Sequence, residues 1–356
     1  MLFERYRFDS VPAFRLNTVR RKYRKLLVRL ICQGDIRLSH SLACPCGSDR
    51  LNKVSEKDRF GLPFGSFICM DCGLLLLSPR ISDESLAQYY REIYHPLVFG
   101  VTKGTVLENL VNEKQGEKIF EFMKDHLHKP KMKVCEFGCA GGYNLSAFHD
   151  LAACEGYVCT LYGCEYEENY AASAKEKGIS VAIGGTESLS QFGVTFDVII
   201  LSHVLEHFGD IEREMRTLRE LLSDDGLLYI EVPGLMHLGA YRNDLIDYLV
   251  HAHNYNFNLR SLENMLNMSG FAMVKGNESL QSIFQKGDAT ADRSLSERNY
   301  LLVLEYLEKT EREYTGSLSA RNIMRRFVRM VAYRFEYLLV LRKMMGSFKS
   351  RHAFMR

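Results

Sequence analysis

Cys44-Pro45-Cys46-Gly47 and Cys69-Met70-Asp71-Cys72-Gly73 are two short turns, each offering a pair of thiolates. Zinc takes four soft ligands at tetrahedral corners, and a glycine after each turn frees backbone N–H groups to face the sulfurs. Cys44, Cys46, Cys69 and Cys72 are therefore candidate ligands of one structural zinc. The first turn is C-x-C, one residue shorter than the usual C-x-x-C, which makes His40 an alternative ligand. The plainer reading is four small buried thiols, since free cysteine is often buried. Four thiolates would leave no open coordination position, so the metal would hold structure and would not act on substrate.

A second constellation is Val134-Cys135-Glu136-Phe137-Gly138-Cys139-Ala140-Gly141-Gly142-Tyr143, which runs from an apolar strand into a helix through small residues. Such a turn lets backbone N–H groups and a helix N-terminus approach a ligand closely. A dinucleotide turn needs G-x-G-x-x-G, and Ala140 stands at its second glycine, which disfavours NAD. Glu136 ends the strand before the turn and Glu165 ends the next one, where an acid accepts hydrogen bonds from ribose hydroxyls. A tight turn without a ligand is the alternative. For proton transfer the natural candidates are histidines, chiefly His253 and His207.

The elements that must position these groups follow from periodicity. Strands are expected at Lys133–Phe137, Leu161–Glu165, Ser180–Ile183, Phe196–Ser202 and Leu227–Val232, with helices near 143–153, 167–177 and 210–222 between them. This alternation is the signature of a parallel α/β sheet. After a helix at about 259–269, Phe271–Lys275 and Leu280–Gln285 form a hairpin through Gly276-Asn277-Glu278-Ser279. Upstream, 15–31 reads as a basic amphipathic helix, and Ser82 caps a helix reaching about Tyr94. Downstream, about 292–345 is helical.

Taken together, Glu136-x-Gly138-Cys139-Ala140-x-Gly142, Gly163-Cys164-Glu165, the Phe196–His207 segment and Gly226–Pro233 resemble class I S-adenosylmethionine-dependent methyltransferases over roughly 115–286. The resemblance implies a seven-stranded Rossmann-like sheet whose last strand is antiparallel. It implies that Gly138, Ala140 and Gly142 line the methionine end of S-adenosylmethionine, and that Glu136 supports its amino group. Glu165, with Tyr166 beside it, would hold the ribose; Thr186, Glu187, Ser202 and His203 would flank the adenine and the methyl donor. Where the family usually has glycine, Ala140 is expected to be tolerated at a negative φ. The cysteine ribbon with Leu74–Arg80 and the helix after it resembles the N-terminal module of bacterial methyltransferases acting on sugars, surface glycans and small molecules. His253-Asn254-Tyr255-Asn256-Phe257 matches a His-x-Tyr-x-Phe segment of these relatives, with Ala252 where an acid often stands. His253 is thus a candidate base and His207 a second one, each with a packed histidine as the alternative.

A rival reading takes His203-x-x-Glu206-His207 with His253 as similar to the Glu-x-x-Glu-His metal site of small-RNA 3′-end methyltransferases. A third is a non-catalytic scaffold with a methyltransferase fold. Charge bears on the choice. The net charge of +2 hides +7 on residues 1–37, +9 on 317–356 and −14 on the middle. An acidic body argues against nucleic acid as its substrate. The basic ends, 15–31 and 321–345, each carry an apolar stripe, suited either to packing in a core or to peripheral contact with an anionic membrane or an assembly complex. No signal segment or span is expected, and reduced thiols fit a cytoplasmic protein. The expected organisation is a basic helix (1–37), a zinc-ribbon module with its following helix (38–100), a methyltransferase domain (101–290) and a basic helical extension (291–356).

Overall fold

The computed structural model describes residues 3–40, 42–102, 106–290 and 294–316, the side chains of 106–111 and 294–297 excepted. The chain divides into two compact units, one of Met1–Lys103, Leu238–Asn254 and Tyr300–Arg356, the other of Gly104–His237 and Tyr255–Asn299. Residues 238–254, expected inside the α/β domain, thus group with the N-terminal unit.

In the first unit, helix α1 (Thr18–Gln33) is capped by Asn17, whose side chain accepts from Arg20 N, and stops at Gly34 in the left-handed region, φ 80°. Its apolar stripe turns inward, with Leu27 fully buried in a core shared with Phe60, Phe64 and Tyr89. Arg24, one of the basic residues of this helix, is buried and donates to the carbonyls of Phe60, Ser10 and Gly61. Within this unit β1 (Leu51–Ser55), β2 (Gly65–Cys69) and β3 (Leu75–Ser78) pair antiparallel. Helix α2 (Asp83–Tyr89) passes into a π turn at Tyr90–Tyr94 and a last turn at His95–Val98, so the helical run continues beyond the expected end at Tyr94. The final described helix, Ser294–Gly316, covers the start of the expected C-terminal helix; the stripe at 321–345 lies outside the described residues.

The second unit opens with α3 (Val106–Met123), a helix absent from the expectations. Then come β4 (Lys131–Phe137), α4 (Tyr143–Cys154), β5 (Val158–Glu165), α5 (Glu168–Glu176), β6 (Ser180–Ile183), β7 (Phe196–Ser202), α6 (Ile211–Leu221) and β8 (Leu222–Glu231). Helix α7 (Leu259–Met268) precedes β9 (Phe271–Gly276) and β10 (Gln281–Lys286). The seven strands lie in the order β9-β10-β8-β7-β4-β5-β6. Strands β4 to β8 are parallel, and β10 runs antiparallel to both its neighbours. This is the expected sheet, terminal hairpin included.

Helix faces follow burial. Along α6, Ile211, Met215, Leu218 and Leu221 are buried at steps of three and four, and Asp210 caps its start. Helix α3 buries Ile119, Phe120 and Met123 against Phe148 of α4 and Val134 of β4. Gly116 explains how α3 lies so close: a Cβ there would meet the Asn144 carbonyl oxygen at 2.2 Å. Glycine costs a helix interior about 1 kcal/mol relative to alanine, and here it permits the contact.

Candidate active site and metal centre

Both cysteine turns close on themselves. Gly47 N donates to Cys44 O at 2.8 Å and Gly73 N to Cys69 O at 2.9 Å, with φ of 83° and 73° at the two glycines. The turns bring Cys44 Sγ to 3.5 Å from Cys72 Sγ and Cys46 Sγ to 3.6 Å from Cys69 Sγ. All four sulfurs lie within 4.8 Å of one another. A tetrahedral zinc with Zn–S of about 2.3 Å sets its sulfurs about 3.8 Å apart, so the four thiols fit that ion, and His40 is not part of their cluster. The shortened first turn therefore still aims both of its sulfurs at the same point.

At the carboxyl edge of the sheet, β4 ends in Glu136, which is 2% exposed. Its Oε1 accepts from Asn144 Nδ2 at 2.7 Å, and among the described residues its Oε2 has no hydrogen-bond partner. Burial pushes this carboxyl up to about 8, against the lowering by Asn144, with nearby Glu165 adding to the rise. A buried carboxylate oxygen without a donor fits an ammonium group brought by a ligand, the expected partner of Glu136.

The turn itself is built from left-handed backbone. Gly138, Ala140 and Gly142 have φ of 64°, 44° and 76°. At φ 76° a side chain on Gly142 would be strained, and its Cβ would also crowd Ala174 Cβ at 3.0 Å, so glycine is the favoured residue where α4 starts. Ala140 departs from the expected negative φ. Its backbone is held in that position by its own N–H, which donates to Glu165 Oε2 at 3.0 Å.

Glu165 is more engaged than expected. Its Oε1 also accepts from Tyr166 N at 2.8 Å and Glu167 N at 3.0 Å. A carboxylate offers about four acceptor sites, so the three N–H groups leave room on Oε2 for one ribose hydroxyl rather than two without rearrangement. Burial raises its pKa, against the three backbone N–H groups that lower it. Tyr166 is 56% exposed. Thr186 is buried at the start of the turn Thr186–Phe192, where its hydroxyl donates to Glu214 of α6, while Glu187 is exposed. Glu187 is thus the more available of that pair.

Ser202 ends β7 opposite Glu231 of β8. His203 follows with φ 56°, its N–H donating to Glu231 O at 2.8 Å. A bulky residue in the left-handed region is uncommon and gathers at functional sites. Its Nδ1 lies 3.8 Å from Glu206 Oε1 and its Nε2 4.0 Å from Glu231 Oε1. Desolvation lowers its pKa, but the two carboxylates outweigh it and leave it raised. Glu231 Oε2 accepts from Tyr229 Oη at 2.8 Å and from Gln115 of α3. His207 Nε2 lies 3.9 Å from the same Glu206 oxygen, and the imidazole is largely buried.

His253 belongs to the first unit, where its N–H closes a turn on Val250 O at 2.9 Å. Asn144, Gln115 and His251 escaped the sequence reading. A polar residue in the first turn of the helix after the glycine loop is the signal that could have found Asn144. Gln115 had none, because α3 itself was missed.

The family model for a methyltransferase domain matches residues 111–275. The chain carries a methyltransferase domain. It is similar to the C-methyltransferase NovU of Streptomyces niveus, 23% identical over 63% of this chain and 51% of that protein. A ubiquinone biosynthesis O-methyltransferase of Rhizobium etli is 23% identical over 38% of this chain and 52% of its own length. The chain thus spans about half the length of the curated relatives it matches. Among solved structures, the magnesium protoporphyrin IX methyltransferase of Synechocystis PCC 6803, with bound SAH, gives a TM-score of 0.39 at 14% identity, covering 57% of this chain and 98% of that one. No helix among the described residues is long and apolar enough to cross a membrane.

Proposed function

We propose that this protein transfers a methyl group from S-adenosylmethionine to a sugar, surface glycan or other small molecule, with a structural zinc on Cys44, Cys46, Cys69 and Cys72. The observation that carries the reading is the buried Glu136 carboxylate, with an undonated oxygen beside a glycine turn in a methyltransferase domain. S-adenosylmethionine, when bound, supplies an already activated methyl carbon.

The residues of the chain bind and align. Glu136 holds the ammonium group through Oε2 while Asn144 keeps Oε1 in place. Glu165 fixes the turn through Ala140 N and keeps an acceptor position for the ribose; Tyr166, Glu187, Ser202 and His203 complete the cofactor contacts. Alignment is where most of the acceleration arises, since well-oriented groups reach effective molarities of about 10⁵–10⁸ M. If the acceptor is a hydroxyl or a carbon acid, its proton must also leave, and His253 is the residue that takes it, with His207 the second candidate.

The name of the Rhizobium relative, a ubiquinone biosynthesis O-methyltransferase, supports a small acceptor, and so does the −14 charge of the middle of the chain. The basic ends are proposed to hold the protein near an anionic surface. In α1 only the charged face is available for this, because its apolar stripe packs into its own unit. The test is transfer of labelled methyl into lysate pools with and without nuclease. Label in a nuclease-resistant small-molecule or glycan fraction supports the proposal; label released only by nuclease overturns it in favour of RNA.

A further inference from the structure

The segment Leu238–Asn254 is clipped into the first unit near its end by two backbone bonds, Arg59 N to Leu249 O at 2.8 Å and Leu77 N to Asn254 O at 3.0 Å. Between them lies His251, 1% exposed, its ring centroid 5.6, 5.1 and 5.7 Å from those of Phe60, Phe64 and Tyr89. Both ring nitrogens are engaged. Nδ1 lies 2.7 Å from Asp58 Oδ2 and Nε2 lies 2.8 Å from Tyr89 Oη. Asp58 is itself fixed, because its Oδ1 accepts from Phe60 N at 2.9 Å and Leu62 N at 2.8 Å.

One arrangement of hydrogens satisfies every atom. Nδ1–H donates to the carboxylate, and the Tyr89 hydroxyl, whose ionisation burial pushes far upward, donates to Nε2. An aliphatic residue would fill an aromatic pocket without needing partners. A fully satisfied polar network adds orientation, because breaking one bond leaves a buried group unpaired. The three bonded residues come from the loop after β1, from α2 and from the Val250–His253 turn. His253 sits two residues from the centre of this anchor.

We propose that His251 is a positioning residue: with Asp58 and Tyr89 it locks the Val250–His253 turn and so fixes the direction in which His253 is presented. This rests on the reading of His253 as the proton acceptor.

The test uses the full chain in four forms: unaltered, Tyr89→Phe, His253→Ala and the double variant. Tyr89→Phe removes one hydroxyl and keeps the ring. Transfer of labelled methyl from S-adenosylmethionine into the small-molecule fraction of a lysate is timed, and imidazole ¹⁵N spectra are recorded. Tyr89→Phe should slow transfer by about ten- to hundredfold, leave cofactor affinity unchanged and shift the His253 ring resonances. In the His253→Ala background the same change should have no further effect, because both act through one group. An equal loss in both backgrounds, or unshifted His253 resonances, overturns the positioning role. A full rate in His253→Ala overturns the reading of His253 as the base, and the ¹⁵N shift then decides the anchor independently. Asp58→Asn keeps the oxygen that accepts from the Phe60 and Leu62 N–H groups and can donate to His251 from Nδ2 with the opposite tautomer, at the cost of the bond from the Tyr89 hydroxyl, so it should lose less of the rate than Asp58→Ala.

Discussion

Asn144 and Glu136 are joined by one hydrogen bond of 2.7 Å, from the amide Nδ2 to Oε1, which leaves the buried Oε2 without a partner among the described residues. The bond ties the first turn of α4 to the end of β4 across the glycine loop. It selects which carboxylate oxygen is kept for a ligand.

Cofactor affinity should therefore depend on pH with a definite sign. Because its carboxyl is pushed up to about 8 by burial, Glu136 carries a proton at neutral pH and must lose it to pair with an ammonium. Affinity should rise about tenfold per pH unit below about 8 and fall again above it, where the cofactor's own ammonium group loses its proton. Calorimetry in buffers of different ionisation enthalpy should find about one proton released per cofactor bound near neutrality; no release would contradict the assignment.

The same group bears on stability. A carboxyl with a folded pKa above its unfolded value disfavours the folded state as pH rises through the interval between them. Glu136→Gln removes that dependence. Urea denaturation above about pH 8 should show the variant more stable by about 1 kcal/mol or more, with cofactor binding lost. A less stable variant would show that the carboxylate is well compensated.

Gly116→Ala places a Cβ 2.2 Å from the Asn144 carbonyl oxygen, which is backbone and cannot swing aside. Overpacking of this kind costs about 1–3 kcal/mol. Because Asn144 holds Glu136, affinity for the cofactor should fall as well. Denaturant melts and calorimetry check the two effects, and a variant unchanged in both would mean that α3 lies elsewhere.

Ala140→Gly tests the turn from the other side. Left-handed backbone costs a residue with a Cβ about 1–2 kcal/mol, and Ala140 sits at φ 44°. The glycine variant should melt higher, less the extra entropy of its unfolded chain, with binding kept. A lower melting temperature would show that the methyl group makes packing worth more than the strain.

How far the sequence carried the structure depends on where each signal resides. The bounds of Ser180–Ile183 and Phe196–Ser202 coincide with the expected strands, because buried parallel strands are short apolar runs between turn residues. The terminal hairpin was legible in the Gly276–Ser279 turn between two apolar runs, and the family resemblance implied its antiparallel last strand. Helix α3 was not: its apolar positions do not form a clear stripe and Gly116 interrupts it, although Ile119, Phe120 and Met123 belong to the core. The four thiols could be named from two glycine-punctuated turns, and their approach within 4.8 Å bears out the spacing even with C-x-C. The conformation of Ala140 was misjudged, because a backbone angle set by Glu165, 25 residues away, leaves no local trace. His251 was passed over because its partners Asp58 and Tyr89 are remote in sequence.

Zinc should be found at one ion per chain in protein produced without added metal. Cys69→Ser with Cys72→Ser leaves two thiolates, too few for a tetrahedral site, and should empty it. Metal analysis decides, and zinc retained by the double variant would place the ion elsewhere.

Glu136 and the glycine turn are proposed to bind the methyl donor. Titration of the unaltered chain and of Glu136→Gln with S-adenosylhomocysteine tests this most directly, since that product carries the same ammonium and ribose and cannot react. One-to-one binding to the unaltered chain, weakened at least tenfold in the variant, is the predicted result. Equal binding by both, or none by either, would contradict it.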